Sequence, residues 1–224
     1  MKKREKVIMA WSGGKDSALA FHRMAGDGSK EIDLLLSTVT EPYDRISMHG
    51  VRRVLLERQA LSMGIGLGTV HISESSSCDE YESKMRAFLE ESIGRGVSSV
   101  AFGDIFLEDL RKYREDKLAE LGLKGIFPLW KGDTAALAGE FISRGFKAVI
   151  TCVDSDALDG SFAGREFDRQ FLKDLPPSVD PCGENGEFHS FVYEGPIFKE
   201  PVLWEKGEVV VRAGRFYYCD LVPR

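Results

Sequence analysis

Ser12-Gly13-Gly14-Lys15-Asp16-Ser17 decides how the rest of the chain reads. It follows the apolar run Val7-Ile8-Met9-Ala10-Trp11. A helical pattern opens at Asp16 with Ala18, Leu19, Phe21, Met24 and Ala25. The hexapeptide therefore sits where a strand turns into a helix. The first amides of a helix have no partner within it, and the helix dipole adds partial positive charge there, so such a junction attracts anions. The adjacent Gly13 and Gly14 let the main chain approach a phosphate and take positive φ without penalty. The hydroxyls of Ser12 and Ser17 and the ammonium of Lys15 add donors. Asp16 suits a phosphate site only with a divalent cation between them, which makes it the candidate metal ligand.

Two commoner phosphate loops are excluded. A Walker A loop has a glycine five residues before its Gly-Lys pair and Ser or Thr after the lysine; Met9 and Asp16 stand there. A dinucleotide fingerprint needs Gly-x-Gly-x-x-Gly, and only the adjacent pair is present.

The 224 residues, 43% of them hydrophobic, suffice for one large α/β domain or for a domain with a smaller partner. A net charge of −6 argues against a dominant nucleic-acid surface. No apolar run approaches membrane-spanning length, and the run after Lys2-Lys3-Arg4 is too short for a signal peptide, so a cytoplasmic protein without membrane partners is expected. Cys78, Cys152, Cys182 and Cys219 are scattered and form no Cys-x-x-Cys, so neither disulfides nor structural zinc is expected. A homodimer is left open.

The first part alternates strand-like and helix-like segments. Ile32–Thr40 is an apolar run of strand length, and Val51, Val54 and Leu55 fall at helical spacing. Thr69–Ile72 reads as a short strand, and Tyr81, Met85, Phe88 and Leu89 mark a helix ended by Gly94 and Gly96. Val97–Phe102 reads as a strand, and Leu110, Leu118 and Leu121 as a helix ending near Gly122. This rhythm predicts an α/β fold: a Rossmann-like parallel sheet with helices on both faces. Ligands of such sheets bind outside the carboxyl ends of the strands, which selects Ser12–Ser17, Thr38, Gly103 and Asp104. For Asp104 two readings stand: a ligand for a cation or a substrate ammonium, or a helix N-cap or turn residue.

Phe127-Pro128-Leu129-Trp130 reads as an edge strand or linker, dividing residues 1–127 from a smaller α+β unit, 128–224. In that unit a helix is expected from Thr134, a buried strand over Phe146–Val153 and a helix over Gly164–Leu172. A C-terminal hairpin is expected to turn at Lys206-Gly207-Glu208. Between them lies Asp180-Pro181-Cys182-Gly183-Glu184-Asn185-Gly186-Glu187-Phe188-His189-Ser190-Phe191. By composition this is either a solvated acidic loop or a loop that brings its acids to a cation, an amine or a proton.

The loop Ser12–Ser17 resembles the PP-loop of ATP pyrophosphatases, which split ATP between the α and β phosphates. Together with Gly103-Asp104-Ile105, Pro128-Leu129-Trp130 and the Asp180–Phe191 run, the chain resembles the diphthine–ammonia ligase family over nearly its whole length. The resemblance implies a PP-loop (HUP-type) nucleotide-binding domain with a smaller α+β domain closing over it. It also implies ATP and Mg²⁺ as cofactors, and ammonia and a carboxylate as partners, the best-known carboxylate being diphthine on a translation elongation factor. Ser12, Gly13, Gly14, Lys15, Asp16, Ser17, Thr38, Gly103 and Asp104 are then expected on ATP, with the main chain near Thr38 reading adenine. Asp180, Cys182, Gly183, Asn185 and His189 are expected on substrate, and Lys15, Asp16, Glu184 and Glu187 in catalysis. One departure stands out. Diphthamide-forming members carry a more Glu-Tyr-Glu-Thr-like run where this chain has Glu187-Phe188-His189-Ser190. The acceptor is therefore open, with a tRNA-modifying PP-loop enzyme and a non-enzymatic ATP-binding protein as alternatives.

Overall fold

The structure, a computed structural model, describes residues 4–47, 49–73 and 77–224. Strand β1 (Glu5–Ala10) is completely buried at Val7, Ile8 and Met9, as a strand covered on both faces must be. It pairs in parallel with β2 (Lys30–Thr40) and with β5 (Val97–Ala101). Farther out, β4 (Gly66–Ile72) pairs with β2, and β6 (Lys124–Ile126) with β5, both in parallel. The two-residue β3 (Arg45–Ile46) runs antiparallel to the end of β2.

Alternation along β1 separates two layers. Val7 and Met9 join α1 (Lys15–Ala25) and α2 (Arg53–Met63) on one face. Ile8 joins Leu89 of α3 (Cys78–Gly94) and Leu118 of α4 (Glu108–Ala119) on the other. This is the doubly covered parallel sheet expected from the sequence.

The second sheet is antiparallel, in the order β8 (Phe188–Glu194), β7 (Lys147–Asp154), β10 (Phe216–Pro223), β9 (Trp204–Arg212). Helix α5 (Thr134–Ser143) and the short α6 (Arg169–Asp174) pack on it through Phe141, Phe146, Phe167, Phe171 and Phe188. One apolar cluster runs from Val7 and Leu19 through Phe141 and Phe191 to Leu221, so both sheets share a core.

Two sequence expectations are corrected and a third is narrowed. Gly164–Leu172 is not one helix: the amides of Gly164 and Phe167 donate to Ile150 and Ala148, and Ile150 donates back to Arg165. Asp168 then caps α6 by accepting from Phe171 N at 2.7 Å. Phe167 and Phe171 do touch, at 5.3 Å between rings, but Phe167 precedes the cap. Their spacing of four joins the residue before the cap to the third helical residue rather than two residues of one helical turn. The hairpin does not turn at Lys206–Glu208, which lie inside β9. It turns at Ala213 and Gly214, with φ of 50° and 64°, the consecutive left-handed residues that suit a tight hairpin. Of the two readings for Phe127–Trp130, edge strand or linker, the strand falls away; the edge strand is β6, just before it, and 127–130 connect it toward α5.

Gln59 of α2 joins the two units. It is 0% exposed, and its Oε1 accepts from Trp11 Nε1 at 2.8 Å while its Nε2 donates to Gly13 O at 3.1 Å and Val192 O at 2.6 Å. Replacing it with leucine strands the Trp11 indole N–H and removes one donor each from the Gly13 and Val192 carbonyls, of which Gly13 O keeps Val192 N. Gln59→Leu is expected to lower the unfolding free energy by about 2–4 kcal/mol in a denaturant titration, far more than a surface glutamine would.

Candidate active site

The anion loop owes its shape to Gly13, Gly14 and their neighbours. Gly13 has φ of 77°, and a Cβ there would lie 2.8 Å from Gln59 Oε1. Gly14 precedes the first helical residue, with Ser12 Oγ accepting from its amide at 3.2 Å and Ser17 Oγ donating to its carbonyl at 2.9 Å. Behind the loop, Gly103 approaches so closely that a Cβ would stand 2.9 Å from Asp16 C and Ser17 N. The carboxyl ends of β1 and β5 are thus held together around the start of α1.

The second sheet closes on this loop from the other side. Val192 N donates to Gly13 O at 2.9 Å, and Lys15 N to Ser190 Oγ at 3.1 Å. The Lys15 ammonium donates to Cys182 O and to Asp16 Oδ2, the latter at 2.8 Å, and lies 5.3 Å from the centre of the Phe188 ring. Burial opposes its charge, but Asp16, then Cys182 and Glu184, outweigh it and hold its pKa above the ordinary lysine value.

Between the units lies a cavity of about 670 Å³. Ser12, Gly14, Lys15, Asp16, Ser17, Thr38, Gly103 and Asp104 line it from the first unit, and Gly183, Glu184 and His189 from the second. Between α3 and α4 its wall is mixed: Tyr81, Met85, Leu89, Val100 and Phe102 line it together with the charged Glu82, Arg86, Arg114 and Lys117. The carbonyl of Thr38 already accepts from Ser47 N, at 3.2 Å.

The acids divide. Glu184 is half-buried in the cavity wall, and its Oε1 accepts from Ile105 N at 2.7 Å and more loosely from Phe106 N at 3.3 Å. Burial, with the negative charges of Asp16 and Asp104 added, raises its pKa to about 7 against the pull of those amides. Burial also raises Asp104, partly offset by Arg114. Arg114 Nε is 3.0 Å from Asp104 Oδ2, but neither atom has a partner in hydrogen-bond geometry, so the pair is held by charge alone. The N-cap reading of Asp104 falls away, because α4 starts at Glu108 after Leu107.

Glu187 does not line the cavity. It is 7% exposed, and its oxygens accept from Asp180 N, Asn185 N and Asn185 Nδ2 at 3.0–3.1 Å. Asp180 in turn accepts from Cys182 N, and the Cys182 thiol donates to Thr134 O, its pKa pushed by burial up to about 12. Asp180, Cys182, Asn185 and Glu187 thus shape the loop that presents Gly183 and Glu184.

Sequence reasoning missed His49, Ser190 and Gln59. Nothing in the spacing around His49 marks it, yet its ring lies 4.5 Å from that of His189 in the cavity wall. Burial lowers both pKa values, His189 to about 4, so both rings are neutral at pH 7. Ser190 lay within the quoted motif but carried no signal distinguishing it from a strand residue.

Glu184 binds its proton more tightly in the folded chain. Between about 4.5, its ordinary value, and about 7, the unfolded chain has released a proton that the folded chain keeps. Stability contributed by this group is therefore complete below that window and lost as pH rises through it. A ¹³C-carboxyl NMR titration is expected to show a midpoint near 7 that Glu184→Gln removes, and the same variant should flatten the fall in stability across the window.

The sequence matches the family model of the diphthamide synthase N-terminal domain over residues 5–125 and that of the C-terminal domain over residues 133–217. It is 26% identical over 231 residues to the diphthine–ammonia ligase of Danio rerio, an alignment covering 93% of this chain and 89% of that protein. To the diphthine–ammonia ligase of Homo sapiens it is 27% identical over 237 residues, covering 93% and 86%. With both domain models matched in order and the two units meeting at one cavity, the chain belongs to the diphthamide synthase family.

Proposed function

We propose that this protein is an ATP-dependent amide ligase that activates a carboxylate by adenylation and transfers ammonia to it. The reaction is that of diphthine–ammonia ligase, with diphthine on an elongation factor as acceptor. The observation that carries the proposal is the closure of an acid-bearing loop onto a pyrophosphate-type loop, through Val192 N to Gly13 O, Lys15 N to Ser190 Oγ and Lys15 Nζ to Cys182 O. A site that only held a nucleotide has no need of a tuned acid against its phosphate loop.

A carboxylate is a poor acceptor because oxide is a poor leaving group. Its oxygen attacks the α phosphorus of ATP, the α–β bond breaks, and pyrophosphate departs as the mixed anhydride forms. Ammonia then attacks the carbonyl carbon, AMP leaves, and one proton is released. The positive end of the α1 dipole, the Ser12 hydroxyl and the charge of Lys15 suit the departing pyrophosphate. The apolar patch of Met85, Leu89, Val100 and Phe102 in the cavity wall suits a purine. Glu184, titrating near 7, is the group in this wall able to take the proton from the attacking nitrogen. Glu187 acts by holding the loop.

Among the described residues, no group of three or more His, Cys, Asp or Glu side chains is arranged to hold a metal. The residues nevertheless fit Mg²⁺ shared with phosphates. Asp16 and Asp104 both face the cavity, and Asp104 keeps a buried oxygen without a hydrogen bond. Bound there, Mg²⁺ would supply charge neutralisation of the phosphates. The division near residue 128 then separates a nucleotide-binding domain from one that carries the acid loop.

With ATP, Mg²⁺, ammonium and diphthine-bearing elongation factor, phosphorus NMR is expected to show AMP and pyrophosphate; ADP and phosphate would overturn the proposal. AMP and pyrophosphate formed with a different carboxylate would keep the chemistry and change the acceptor. Glu184→Gln is expected to cut amide formation about 10²–10⁴-fold while leaving ATP affinity within about threefold. Glu187→Gln is expected to act instead through loop order, lowering the melting temperature.

A further inference from the structure

Strand β9 is the outer strand of the second sheet, bonded on one side to β10. Its last five residues, Glu208-Val209-Val210-Val211-Arg212, are all exposed, the valines by 42%, 38% and 49%. Successive valines point to opposite faces, so apolar surface is open on both sides of a strand whose outer amides and carbonyls also lack a neighbouring strand. The first half of β9 is different: Arg224 holds Glu205, and Arg58 reaches the adjoining Leu203 and Arg224 carbonyls. Among the described residues, Glu208 and Arg212 enter no ion pair.

We propose that this half-strand pairs with the same half-strand of a second copy, antiparallel and centred on Val210, to give a twofold dimer with one continuous eight-stranded sheet. The segment is complementary to itself in that register. Glu208 lies opposite Arg212 of the second copy, twice; Val209 lies opposite Val211, twice; and Val210 faces its own copy. One face then carries two valine pairs, and the other a valine pair flanked by two ion pairs. Neighbouring registers lose this. Centring on Val209 sets Lys206 against Arg212, like charges across the strands, and centring on Val211 sets Glu208 against the turn residue Gly214. A closed twofold contact also covers the edge in both copies at once. The cavity lies beside β8, at the opposite edge of the sheet, so pairing leaves it open and does not depend on the proposed reaction.

Sedimentation equilibrium on the full chain tests this. A 25.0 kDa chain is expected to show twice that mass in the micromolar range. Glu208→Arg and Arg212→Glu each convert two attractive pairs into repulsive ones. Each should weaken the dimer at least about tenfold, with the far-UV circular dichroism unchanged. The double variant Glu208→Arg/Arg212→Glu restores opposite charges and should restore the dimer. A single-chain mass for the unsubstituted protein up to about 0.1 mM would overturn the proposal. So would a dimer indifferent to both single substitutions, or a double variant no better than the singles.

Discussion

The hydrogen bond from Val192 N to Gly13 O is the constraint on which this structure turns. Gly13 stands in the left-handed region, in the short loop between β1 and α1. A loop of that kind has little to hold it in place by itself. Here the partner is a strand of the second sheet, and Gln59 ties the same two residues together while satisfying the Trp11 indole at the end of β1. The shape of the Ser12–Ser17 loop is therefore not a property of the first unit alone. Its main chain is completed by residues about 180 positions later, which explains why the apolar core runs unbroken through both sheets.

The same closure sets the electrostatics. Lys15 brings one positive charge into a nearly dry place, where it is satisfied by Asp16 and by the Cys182 carbonyl. Asp16, Asp104 and Glu184 share this wall: the charge of Asp16 adds to burial at Asp104, and the charges of both add to burial at Glu184. Arg114 offsets part of this at Asp104 but does not reach hydrogen-bond geometry. The outcome is that Glu184 is raised to about 7. His49 and His189, lowered by burial, add no charge to the wall at pH 7.

Much of this was legible in the chain. The run Val7–Ser17 predicts the strand, the loop and the helix, because buried strands read as continuous apolar segments and glycines mark close approach. The first unit follows from its alternation, and Asp104 from the rule that ligands sit at strand ends. What stayed hidden depends on distance in sequence. Gln59 looks like any polar residue on a helix until Trp11, Gly13 and Val192 converge on it. His49 meets His189 only when the second sheet docks. The misplaced hairpin turn has a local cause. Gly207 reads as a turn residue, but it sits within β9 because Asp220 Cβ would lie 3.1 Å from any Cβ placed there. The acids of the second loop could be named from the motif, but their division of labour could not, since Glu184 and Glu187 differ only in which way the loop turns them.

That turning has a physical origin. Gly183 has φ of 65°, and a Cβ on it would lie 2.8 Å from Phe188 O, so the loop folds back onto the first residue of β8. Gly186, with φ of 90°, makes the second reversal. The two reversals send Glu187 inward, where the loop's own amides occupy it, and send Glu184 across the gap to the amides of Ile105 and Phe106. Glu184 is thus placed by one unit and hydrogen-bonded by the other. If the units part, it loses those amides, which favour its charged form, and also the burial that opposes charge more strongly. The value near 7 therefore belongs to the docked arrangement, in which one unit positions Glu184 and the other both buries it and supplies its amide partners.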